Sequence, residues 1–436
     1  MIDGRQLWQM WDDLALTKLF QSFRMAVGPT KVTIAFGGVL LICLVGWIMD
    51  ICTKTVVVNP NQGSATKRVA SDILKFSDAT ELEVYIAEPH KTKSFIERYR
   101  GKAPGAGVFS TLWNFGSARF NHATMLLLKL DTSNIVANIF NVAANIWLCA
   151  EALVWALRYH PVYSIIYFSI VVCIICLAGG AICRCAALEF ARGERPGLLE
   201  VIGFSCRKFR SLLAGPLLPV GLILICAFFV FMLGLIGTLP WVGELMMGLG
   251  LALAMIFGLF TVIFLVGTLA GLSMMFPVIG YEGSSGRDAV SRSFMYVLSQ
   301  PWWMIFYTFI AVIWGTISYL FVRFGVYLVL IITYILINLG ICNSAGGAGK
   351  LARIWPRPDF FNLSPAQAMP ANWSETVAAF LVHLTVLIFV GLVVAFVISF
   401  YFCASTVVYS LMRKKVDNVP TDKIYLKLDE MRGDRP

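Results

Sequence analysis

The chain has 436 residues, 58% hydrophobic and only 14% charged, with a mean hydropathy of +0.76. A soluble domain carries about a quarter charged residues, so this composition excludes an ordinary water-facing fold. The net charge of +10 is assigned to basic residues beside apolar runs, where they set orientation and meet anionic lipid; nucleic acid is not expected as a partner.

Residues 1–31 are polar and amphipathic and read as a cytoplasmic segment. Within it, Leu14–Met25 carries Leu16, Leu19, Phe20 and Phe23 on one helical face, which suits a helix lying in the membrane interface. No cleavable signal peptide is expected; the first span, residues 32–51, would serve as an uncleaved anchor. Residues 52–160 form an external polar region. Its alternating, strand-like pieces Lys54–Val58 and Glu81–Ile86, with a run at Met125–Leu130, predict a small mixed α/β extramembrane part. Asn134, Asn138, Asn141 and Asn145 then recur at helical spacing up to Leu157. The stripe reads as a surface helix with its Asn side toward water, or as a buried polar stripe lining a pathway.

Residues 161–412 predict a bundle of five further spans. These are Val162–Cys183, Leu212–Ile236 opened by Pro216 and Pro219, and runs inside Leu245–Ile279, Met304–Cys342 and Val377–Met412. The last three would reach roughly 50–60 Å as single helices, more than about 30 Å of hydrocarbon requires. Protrusion, kinking at Gly267, Gly271 or Pro277, or re-entry are the alternatives. The basic tail, residues 413–436, and the Arg-rich loop after the second span place both termini in the cytoplasm. Lys350, Arg353 and Arg357 resist this count; a turn at Arg323 would bring them inside but strand the basic tail outside. The fold expected is therefore an all-α polytopic membrane protein with about six spans.

Chemistry is scarce. No P-loop, HExxH or GxSxG occurs, and His90, His122, His160 and His383 are scattered. Cys173 and Cys176 have CxxC spacing but lie in an apolar run and read as small hydrophobic filler. Cys52 and Cys149 are a candidate external disulfide. Arg323 and His383 are the ionisable groups at membrane depth; Arg323 either snorkels to an interface or pairs, and His383 reads as a packing residue. No acid inside a span is read as available to carry a proton or cation, which argues against an ion-coupled transporter. No cofactor, metal or catalytic residue is expected.

The most patterned polar segment is Gly280–Pro301. Ser284 or Ser285 can cap a helix with Asp288 in its first turn, and Arg292 follows Asp288 at the spacing of a helix ion pair. Glu282, Arg287, Asp288, Arg292 and Arg323 are the candidate contacts for partner proteins or lipid.

At this segment Pro277, Glu282, Ala289, Arg292-Ser293 and Pro301-Trp302 resemble a group of bacterial polytopic proteins without an assigned activity. The group is related to the membrane domain sometimes fused to glycerophosphodiester phosphodiesterases. Gly179–Pro196, Ala214–Pro219 and Cys403–Leu426 resemble its planctomycete-type branch. The resemblance covers roughly Pro161 to Leu426 and implies a bacterial inner-membrane location. It implies no catalysis, since the fused catalytic domain is absent from these residues. The expected role is a non-catalytic scaffold or accessory subunit with protein partners or a second copy of itself; a transporter or channel for a small or lipidic solute is the alternative.

Overall fold

The computed structural model describes residues 16–58, 80–102, 105–128, 135–239, 241–342, 350–363, 371–421 and 423–424. Among them every regular element is a helix. The extended pieces are two isolated antiparallel bridges, Val56–Ala106 and Val58–Thr80. The helices are α1 Leu16–Ala26, α2 Pro29–Cys52, α3 Glu81–Ala87, α4 Thr92–Tyr99, α5 Val108–Leu128, α6 Ile135–Tyr159, α7 Pro161–Arg192, α8 Leu198–Arg207, α9 Phe209–Ile236, α10 Val242–Glu282, α11 Gly286–Ser299, α12 Pro301–Cys342, α13 Lys350–Ile354 and α14 Trp373–Asp417.

The expected α/β region is corrected: Glu81–Ile86 is helical. Its apolar residues alternate as in a strand, but Thr80 accepts from the Glu83 amide while Glu83 caps the Thr80 amide. This reciprocal capping box starts α3 and overrides the alternation. Met125–Leu128 likewise belongs to α5.

Among the described residues seven helices, α2, α6, α7, α9, α10, α12 and α14, are long and apolar enough to cross a membrane. The chain is thus an all-α polytopic membrane protein. The seventh, α6, is the Asn-striped segment. The three long runs are single helices of 41, 42 and 45 residues, about 60–70 Å each. No turn occurs at Arg323; α12 runs through it. Pro216 and Pro219 lie inside α9 instead of opening it.

Packing divides the chain into two compact units, one of residues 1–39, 172–325 and 391–436, the other of residues 40–171 and 326–390. In the first, the amphipathic α1 is packed into protein. Leu19, Met25 and Ala26 are buried, Phe23 meets Phe396 edge-on at 5.9 Å, and Ser399 donates to the Ala26 carbonyl at 2.8 Å. α7 and α10 cross at backbone contact. A Cβ on Gly280 would lie 3.1 Å from the Cys183 carbonyl carbon and the Arg184 amide nitrogen, which is why the position is glycine.

The second unit is organised by two acids. Asp50, in the last turn of α2, accepts from the Phe109 and Ser110 amides at 3.0 and 2.8 Å and from the Tyr163 hydroxyl at 2.7 Å. It thereby satisfies free donors at the start of α5. Glu81, 1% exposed, accepts from the Val57 amide at 3.2 Å and Trp155 Nε1 at 3.3 Å, with His160 Nε2 3.5 Å away. On α6, Asn145 is buried beside His122 of α5 at 3.3 Å, whereas Asn141 is exposed. The Asn stripe is therefore divided between packing and surface.

Candidate functional site

The Gly280–Pro301 segment folds into a clasp in the first unit. α10 ends at Gly283, whose φ of 60° is left-handed and favours glycine. Ser285, not Ser284, then caps α11: its hydroxyl accepts from the Asp288 amide at 3.3 Å and donates to Asp288 Oδ2 at 2.7 Å. The Ser285 hydroxyl holds the Asp288 carboxyl below its usual value, because these hydrogen bonds favour the charged form.

Asp288 is thus engaged in the cap, and the helix ion pair expected with Arg292 is replaced by a longer reach. Arg292 Nη1 donates to Glu282 Oε1 at 2.9 Å. The same oxygen accepts from the Tyr409 hydroxyl at 2.6 Å and lies 3.3 Å from Arg413 Nε. One carboxylate therefore joins the end of α10, the middle of α11 and the end of α14. Tyr296 donates to Asp417, and burial followed by that neighbouring carboxylate pushes its phenol up. Tyr281 donates to the Thr421 carbonyl and Arg413 to the Lys423 carbonyl, each at 2.6 Å. These bonds strap the chain beyond α14 onto the clasp. Nearby, Arg184 Nη1 donates to the Gly280 carbonyl at 3.2 Å and Lys208 to that of Gly283, both carbonyls at the negative end of α10.

Of the predicted contact residues, Glu282 and Arg292 are brought together. Asp288 caps its own helix, and Arg287 is exposed beside α9. Arg323 is elsewhere, in mid-α12 and 3% exposed, with its guanidinium donating to the Tyr319 hydroxyl one turn away. It is buried and hydrogen-bonded within its own helix. His383 is exposed on α14, not packed. Cys52 and Cys149 carry free thiols, against the candidate disulfide. Cys176 is buried, its Sγ 3.6 Å from the Leu212 carbonyl. Among the described residues, no group of three or more His, Cys, Asp or Glu side chains is placed to hold a metal.

Sequence reasoning missed Asp50, Glu81, Tyr409, Arg413 and the pairing of the buried Lys31 with Glu189. Asp50 had a signal, an acid inside the first apolar run; Tyr409 and Arg413 share one face of α14 at i and i+4. No sequence spacing links Lys31 to Glu189.

Fold and site together define a multi-pass membrane protein whose charged helix ends are clasped to one another at one face. No family model, curated protein or solved structure matches the chain.

Proposed function

We propose that this protein is a non-catalytic scaffold or accessory subunit of a membrane assembly. The observation that carries this reading is the clasp. Glu282 accepts hydrogen bonds from Arg292 of α11 and Tyr409 of α14 and forms an ion pair with Arg413 of α14, so the charged groups lock helices together and leave the outer side of α11 bare. On that side Met295 and Leu298 are 42% and 65% exposed, apolar surface of the kind partner proteins cover.

The same face supports six crossings. The start of α2 meets the end of α7 through Lys31 and Glu189. The end of α7 meets the end of α10, which also meets the start of α9. The start of α12 meets the end of α14 where Lys415 Nζ lies 3.0 Å over the Trp303 ring. Each helix has one end on this face, and α2 leaves it while α7 returns. If α6 also crossed, a second additional crossing between α2 and α7 would be required, and among the described residues there no other helix is long and apolar enough to provide it. We therefore read α6 as lying at the membrane boundary. The basic face and both termini are cytoplasmic, in a bacterial inner membrane, within the polytopic group that Gly179–Pro196 and Cys403–Leu426 resemble.

The test is native mass spectrometry of tagged full-length protein taken from its own membranes in mild detergent. A second chain or second copy in fixed ratio, lost on Leu298→Glu, is expected. A lone monomer would refute the assembly role. For topology, Asn141→Cys in a cysteine-free background should react with an impermeant maleimide added outside cells; protection would refute a boundary position.

A further inference from the structure

We propose a specific site for one anionic phospholipid in the groove between α9 and α11. The groove, about 520 Å³, is lined by Ala214, Leu217, Leu218, Gly221, Leu222 and Ile225 of α9, and by Arg287, Val290 and Ser291 of α11. That volume lies within the range of ligand-sized clefts.

The occupant follows from shape, depth and charge. From Ala214 to Ile225 the α9 wall rises about 16 Å, half of the roughly 30 Å hydrocarbon core and so the depth of one leaflet. The wall is apolar throughout, and Leu217 and Ile225 are 50% and 54% exposed. The groove has a defined floor. A Cβ on Gly286 would lie 2.7 Å from the Ser211 carbonyl oxygen and 2.7 Å from Ala214 Cβ, so α11 is seated directly on α9 at this end. The one cation in the lining, Arg287, stands beside that seat. It makes no hydrogen bond or ion pair among the described residues; the carboxylate beside it, Asp288, is held in the α11 cap. Ser291, one turn further along α11, adds a hydroxyl to the lining. An acyl chain along Leu217–Ile225 with its phosphate on Arg287 satisfies both parts of the groove. A peptide would leave its backbone polar groups against an apolar wall, and free phosphate would use only the Arg287 end.

The site requires the chain to lie in a bilayer but not the scaffold role; an assembly could fail to appear while the lipid still binds. The experiment is native mass spectrometry of the full chain in mild detergent, titrated separately with phosphatidylglycerol, phosphatidylcholine and inorganic phosphate. One phosphatidylglycerol per chain should be retained at least tenfold more tightly than phosphatidylcholine, and inorganic phosphate should not compete at millimolar concentration. Arg287→Gln should remove that preference, a loss of roughly tenfold for one charge-assisted contact. Gly221→Leu is a second variant: a Cβ there meets nothing within 4 Å, so the side chain enters the groove without disturbing the helix. It should abolish retention of phosphatidylglycerol at unchanged thermal stability. Equal retention of the two lipids, competition by phosphate alone, or a Gly221→Leu protein that keeps its lipid would each overturn the assignment.

Discussion

Removing the Glu282 carboxylate is the most informative perturbation of the clasp. In Glu282→Ala, Arg413, 15% exposed, loses its 3.3 Å ion partner, and the fully buried Tyr409 loses the acceptor of its 2.6 Å hydrogen bond. Breaking one side of a buried ion pair costs roughly 3–5 kcal/mol. The lower end applies here, because Arg292 is 42% exposed and water can replace its partner. The expected loss is therefore about 3 kcal/mol, against about 1 kcal/mol for Tyr409→Phe, which removes a single hydrogen bond. The assay is equilibrium unfolding of detergent-solubilised protein, followed by tryptophan fluorescence and helical circular dichroism. Combining Glu282→Ala with Arg413→Ala in a double-mutant cycle isolates the pair, and a coupling of about 1–2 kcal/mol is expected. Additive losses, to within about 0.3 kcal/mol, would refute the clasp as an energetic unit.

Other outcomes follow from the same packing. Asp50→Asn should cost about 1–2 kcal/mol by weakening the cap on α5, and Tyr163→Phe about 1 kcal/mol; both would be read as faster proteolysis within residues 105–128. Gly280→Val should destabilise by at least 1–3 kcal/mol of overpacking, because its side chain meets the α7 backbone, whereas Gly221→Val should be near neutral in the same unfolding assay. Asp288 has its folded pKa lowered, so its contribution is present above the ordinary carboxylate value of about 4 and fades as pH falls through the lower folded value. Ser285→Ala should flatten the dependence of stability on pH below about 4; an unchanged profile would remove the cap as its source.

The amino-acid sequence by itself determined the class of this protein. Apolar runs of span length have no soluble alternative, and that signal is local, needing only consecutive residues and the cost of burying backbone in lipid. The segment Gly280–Pro301 was legible for the same reason: a serine cap and an acid in the first turn lie within a few residues, whereas the left-handed stop at Gly283 came from the structure. Local pattern misled where two periods competed, at Glu81–Ile86, until the capping box decided for helix. Tertiary structure alone decided who pairs with whom. Arg292 reaches ten residues back to Glu282, Glu282 joins Tyr409 and Arg413 more than a hundred residues on, and Lys31 finds Glu189. A charge entering a partly dry interior must be paired, which a sequence can announce. Its partner is fixed only when helix crossings such as Gly280 against Cys183, or Gly286 against Ser211, bring particular turns side by side.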